Sequence, residues 1–97
     1  MSTLNKTAQA GTLESGDIMI TIAPGTRGSG VVLELDSIVL AQYGKAINQT
    51  IHEVVAGQGI TDVFIKAIDR GALDCTIKAR TLAALGRAGA ILKEDLV

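Results

Sequence analysis

The 97-residue chain has no tryptophan, one tyrosine, one phenylalanine, one proline, one histidine and one cysteine. Nine basic against ten acidic side chains give a formal charge of −1. With so few aromatic faces for bases to stack on and no basic excess, nucleic-acid binding is disfavoured. Cys75 has no second thiol in the chain to pair with, and the N-terminus lacks the charged and then apolar layout of a signal peptide, so a cytoplasmic location is the expectation. No apolar run approaches the roughly 20 residues that cross a bilayer, and no membrane span is expected.

What is present is aliphatic. A chain of this length fits one domain burying roughly 60 to 65% of its unfolded surface, and its core has to come from Ile, Val, Leu and Ala. Residues 1–16 show neither a strand nor a helix period and read as a mobile arm, with 17–97 as the folded body. Ile18, Ile20 and Ile22 alternate with Met19, Thr21 and Ala23, the pattern of a strand with one buried face. Pro24-Gly25 ends it, and Val31, Leu33 and Leu35 begin a second alternating run, so the two predict a hairpin with a long loop. Asp36 or Ser37 could cap a helix whose apolar face is Leu40, Tyr43, Ile47, Ile51 and Val54, closed at Gly57-Gln58-Gly59. A third strand follows over Val63 to Ile68, turning at Asp69-Arg70-Gly71. A second helix from about Leu73 has Leu73, Ile77, Thr81, Ala84, Leu85 and Ala88 on one side and Lys78, Arg80 and Arg87 largely on the other. The ββαβα order predicts an α+β two-layer sandwich, a three-stranded sheet with both helices on one face, and the crossover through the first helix makes the second and third strands parallel if they are neighbours.

The chain is poor in self-contained chemistry. His52 has no second ligand at metal spacing and reads as an exposed bystander. Cys75 lies in the first turn of the second helix, where its pKa could fall, but reads as a small packed side chain. Gly25-Thr26-Arg27-Gly28-Ser29-Gly30 lacks the spacing and the following helix of a phosphate loop. Ser15, in Gly11-Thr12-Leu13-Glu14-Ser15-Gly16-Asp17, lies outside a nucleophile elbow, and a single helical histidine is a poor base for it. On composition alone it is an ordinary turn serine.

The run from Ala10 to Ile20, together with Gln42-Tyr43-Gly44-Lys45-Ala46-Ile47 and the run from Asp69 to Arg80, resembles the acyl carrier proteins of citrate lyase, the γ subunits, in order and spacing over nearly the whole chain. The resemblance implies that Ser15 carries phosphoribosyl-dephospho-CoA through a phosphodiester, flanked by Gly11, Thr12, Leu13, Glu14, Gly16 and Asp17, with Glu14 and Asp17 solvated and offered to a basic partner surface. It implies a carrier that is not catalytic on its own. The partners it implies are an α subunit exchanging acetyl for citryl on the thiol, a β subunit cleaving the citryl thioester to oxaloacetate, a prosthetic-group transferase and an acetate ligase. A malonate-decarboxylase carrier and a noncatalytic assembly subunit with an unmodified serine are the alternatives. The Pro24 to Gly30 loop and the tail from Ile91 to Val97 depart from the family pattern.

Overall fold

The alternation of isoleucines builds the centre of the molecule. In the computed structural model, which describes residues 4–38 and 40–92 and, of Leu40 and Ala41, the backbone alone, Ile18, Ile20 and Ile22 are wholly buried on one face of a strand, Ile18–Pro24. Burying each such side chain contributes about 1.5 to 3 kcal/mol. The place expected for Leu40 on the helix face, the first three residues of the expected arm and residues 93–97 of the tail lie outside this description.

Six elements are formed: β1 (Ala8–Gly11), β2 (Ile18–Pro24), β3 (Val31–Ser37), α1 (Leu40–Gly57), β4 (Val63–Asp69) and α2 (Asp74–Arg87). The sheet is four-stranded in the order β1-β2-β4-β3, which corrects the expected three strands while keeping the α+β class. The additional strand falls in the stretch expected as a mobile arm. Its sequence, Ala-Gln-Ala-Gly, has little β-propensity and escapes a periodicity reading. It is held from outside by antiparallel pairing, with Ala10 opposite Ile20. Burial of Leu4 and Ala10, the Asn5 amide donating to Ala88 O at 2.9 Å and the Arg87 guanidinium donating to Gln9 O at 2.9 Å tie the segment to α2.

The expected hairpin is a second correction. β2 and β3 are not neighbours, because β4 lies between them, antiparallel to β2 and parallel to β3. Val63, Ile65, Ala67 and Asp69 of β4 are almost fully buried, whereas no residue of β3 is, so β4 takes a central place and β3 an edge. The connection from β2 to β3 must cover two inter-strand spacings, about 10 Å, which accounts for its length. It wraps the start of β4: Gly25 and Gly30 donate to the Asp62 carbonyl and carboxylate at 3.3 and 2.9 Å, and the Val63 amide donates to Gly30 O at 3.1 Å.

Both helices contribute to one core on one face of the sheet, through Ile47, Ile51 and Val55 of α1 and Ile77, Ala84 and Leu85 of α2. α1 closes where expected, with the Ile60 amide reaching back to Val55 O at 3.3 Å and Gly59 at φ +75°. Asp36 and Ser37 belong to β3 instead of capping α1. Tyr43 and Leu73, expected on apolar faces, are exposed.

Asp69 at the end of β4 is wholly buried, and its carboxylate accepts from the Ser37 hydroxyl at 2.8 Å and the Gly71 and Ala72 amides at 3.2 and 3.0 Å. It fixes the connection that launches α2. Asp69→Ala removes the acceptor of the Gly71 and Ala72 amides and of the Ser37 hydroxyl and is expected to lower stability by about 2 to 4 kcal/mol, with Asp69→Asn losing less. Urea unfolding of both variants checks this; equal losses would mean that the acceptor geometry is not what matters.

Candidate prosthetic-group attachment site

The segment between β1 and β2 is a short, closed turn. Gly11 ends β1 at φ +96°, and a Cβ there would collide with the Ile18 carbonyl, so only glycine allows the two strands to approach at the root. Within the turn the Glu14 amide donates to Thr12 Oγ1 at 3.2 Å, and the Asp17 amide to Glu14 O at 3.1 Å. Ser15 and Gly16 occupy the corners of that last turn. Gly16 has φ +83° with open space around it, while Ser15 has an ordinary negative φ, the dihedral signs of a type II turn with glycine at its third position. Ser15 is exposed, and among the described residues its hydroxyl has no hydrogen-bond partner.

The turn is fastened on both sides. The Gly16 amide donates to Arg70 O at 2.7 Å, and the Arg70 amide donates back to Asp17 O at 2.9 Å, extending the β2–β4 ladder into the connection before α2. Arg80 of α2 donates through Nε to Asp17 Oδ1 at 3.0 Å and through a terminal nitrogen to Oδ2 at 2.9 Å, a two-pronged pair. Thr12 Oγ1 donates to Asp17 Oδ2 at 2.7 Å and the Ile18 amide to Oδ1 at 2.7 Å. The Arg80 guanidinium, then the Thr12 hydroxyl and the Ile18 amide, hold the Asp17 carboxyl well below its ordinary range, at about 2.

Of the residues expected around Ser15, Leu13, Glu14 and Gly16 are exposed, as is Thr12. Asp17 differs. Its side chain is only 14% exposed and is spent on Arg80, so Glu14 alone of the two carboxylates is presented to solvent. Arg80 itself, placed by periodicity on the outer side of α2, was not assigned to the site. The two partners lie 63 residues apart, so no local spacing signals the pair. Cys75 is exposed, against the packing expectation, and His52 is half-buried on α1 instead of exposed. The Gly25–Gly30 loop lies at the far end of the sheet, where β2 pairs Pro24 with Val63, and Asp62 is held below its ordinary pKa there by the Gly30 and Gly28 amides.

The family model described as the malonate decarboxylase delta subunit (MdcD), an acyl carrier family, matches residues 5–88. The citrate lyase acyl carrier protein of Streptococcus uberis is 49% identical over 86 residues, 89% of this chain and 83% of that protein. That of Streptococcus equi subsp. zooepidemicus is 50% identical over 88 residues, 91% and 85% of the two chains. The chain belongs to the citrate lyase acyl carrier protein family. The carrier's fold is shared with a chain in the crystal structure of a Pseudomonas malonate decarboxylase hetero-tetramer in complex with malonate, at TM-score 0.76 and 19% identity over 90% of this chain and 88% of that one. At that identity the match speaks for the fold of the carrier alone. An acyl carrier holds its cargo on a covalently attached prosthetic group, and what it must contribute itself is a reachable attachment atom on a firm base.

The Asp17–Arg80 pair sets a pH dependence. The Asp17 pKa in the folded carrier, about 2, lies below that of the unfolded chain. The stabilisation is therefore full above about pH 4 and is lost as pH falls towards 2. With Arg80 40% exposed, water screens the pair, and its worth is about 1 kcal/mol. Arg80→Gln is expected to remove most of this step, so that thermal midpoints followed from about pH 5 down to 2 fall less steeply in the variant. Parallel profiles would place the acid sensitivity elsewhere.

Proposed function

We infer that Ser15 Oγ is the attachment atom for phosphoribosyl-dephospho-CoA, joined through a phosphodiester, and that the chain serves as the acyl carrier of citrate lyase. The observation that carries this reading is an exposed hydroxyl with no hydrogen-bond partner among the described residues, at the corner of a turn whose two flanks are fastened to β4 and α2. A transferase needs that access, and a carrier needs that support. The residues present fit the group: Gly16 leaves the space beside Ser15 open, and no side chain crosses above Gly16 to crowd a phosphodiester.

When attached, the group supplies a thiol that holds acetyl or citryl as a thioester. The chain's own residues do simpler things. Ser15 Oγ would displace a phosphate-type leaving group from an activated phosphate-ester donor held by the transferase, its proton departing with that group, and become the ester oxygen. Arg80 and Arg70, through Asp17 and Gly16, keep the turn from swinging with its load. Glu14 offers an exposed charge that complements a basic partner surface. The partners in this reading are the α subunit, which exchanges acetyl for citryl, the β subunit, which cleaves the citryl thioester, the prosthetic-group transferase and the acetate ligase, all in the cytoplasm. Tethering gives the acyl group a high effective concentration at each active site.

A malonate-decarboxylase carrier is the second reading, favoured by the family description and by the shared fold. Identities of 45 to 50% to citrate lyase carriers, against 19% to the malonate decarboxylase chain, favour citrate.

Carrier purified from its native host during citrate fermentation is expected to show, by intact mass, one phosphodiester-linked adduct that maps to Ser15 and is absent from Ser15→Ala. Since Ser15 is exposed, the variant should keep its stability within about 0.5 kcal/mol. Fully unmodified protein from such cells would overturn the assignment.

A further inference from the structure

The serine end of the sheet also carries an open cleft. It has a volume of about 390 Å³, and its apolar walls come from Tyr43, Ala46 and Ile47 of α1, Ala72 and Leu73 of the connection, and Ile77 of α2. Its polar lining includes Thr50, whose hydroxyl donates to Asp74 Oδ1 at 2.8 Å, Asp74 itself, whose Oδ2 also pairs with Lys78 at 3.2 Å, and Asp69, whose carboxylate is taken up by Ser37, Gly71 and Ala72. Apolar side chains stay in water around it: Tyr43 is 53% and Leu73 is 71% exposed. A mostly apolar concavity of this size with a few polar groups has the character of a small-molecule site.

Its position suggests the occupant. Gly16 donates to Arg70 O at 2.7 Å, and the next three residues, Gly71, Ala72 and Leu73, line the cleft. The attachment turn is thus hydrogen-bonded to the segment that forms the cleft wall. We propose that the cleft is the resting site of the thiol-bearing pantetheine end of the arm carried by Ser15, a proposal that rests on the attachment reading above. Pantetheine joins a dimethyl-substituted carbon chain to two amides. The chain suits the Ala46, Ile47, Ala72 and Ile77 walls, and its amide N–H groups suit the oxygens of Thr50 and Asp74.

The affinity required is small. A flexible tether holds a group at about millimolar effective concentration, so a site with an intrinsic dissociation constant about tenfold lower, on the order of 0.1 mM, is filled about nine-tenths of the time. Such a site withdraws the thioester from water between visits and releases it to a partner active site that binds it only moderately better. A cleft reserved for an apolar side chain of a partner subunit is the competing occupant, and the two differ in the isolated carrier.

The test uses holo carrier from the native host in a Cys75→Ser background, because Cys75 is exposed and would otherwise supply a second reactive thiol. Intact mass first establishes loading. The arm thiol is expected to react with dithionitrobenzoate about tenfold more slowly than the thiol of free dephospho-coenzyme A, a preference of about 1.4 kcal/mol for the sheltered position. Ala46→Trp, on the exposed surface of α1, fills the cleft from outside and should restore the rate of the free thiol. Amide NMR shifts supply a measurement that needs no variant in the cleft: between the Ser15→Ala protein and holo carrier, Ala46, Ile47, Ala72 and Leu73 should move along with residues 11–17. A loaded carrier whose thiol reacts at the free rate, with shifts confined to residues 11–17, would overturn the proposal while leaving the attachment intact and the cleft to a partner. A sample without any adduct would instead remove the attachment reading, and the occupant with it.

Discussion

The two-pronged ion pair between Asp17 and Arg80 is the constraint on which the serine end depends. It joins the entry to β2 to the middle of α2, and with the reciprocal hydrogen bonds between Gly16, Asp17 and Arg70 it makes one unit of turn, strand end and helix. Asp69 serves the adjacent corner by gathering the Ser37 hydroxyl and the Gly71 and Ala72 amides. The pair is partly exposed and contributes only modestly to overall stability. Its importance is positional. Ser15 has no fixed side-chain partner among the described residues, so the firmness of its turn has to come from the residues on either side.

The same division explains why so small a chain suffices. Its core is built from aliphatic side chains on one face of a sheet, and the opposite face, with Phe64 and Lys66 exposed, remains open. A one-sided sheet under two helices supports a presented turn and leaves the reacting groups to other proteins. Membership of the carrier family rests on the family match and the relatives, while the chain of the Pseudomonas malonate decarboxylase hetero-tetramer shares the fold.

Much of the body was legible in the sequence. The isoleucine alternation located β2, the spacing of Ile47 and Ile51 located the inner face of α1, and the parallel relation of β3 and β4 followed from the helix between them. What failed was information that is not local. β1 is four residues, three of them small, whose strand state comes from pairing with Ile20 and its neighbours and from packing beneath α2. The position of β4 between β2 and β3 depends on which strand buries most surface, which alternation within each strand does not rank. Around Ser15, the serine and its glycines stood out as a motif, yet the role of Asp17 was misread, because a carboxylate destined for solvent and one destined for a distant arginine are the same letter.

Gly11 has a further meaning for the geometry of transfer. Since the strands approach too closely there for any side chain, and since the far side of the turn is bonded to β4 and α2, the backbone beneath Ser15 leaves the body in one direction. For a group attached at Ser15 Oγ, as proposed above, torsional freedom would begin at the serine side-chain bonds. Such a group would sweep a cone about that direction instead of a sphere, reducing the volume to be searched and raising the frequency of each productive encounter. On that proposal, the angle at which a partner seats this end of the carrier would select which active site falls inside the cone.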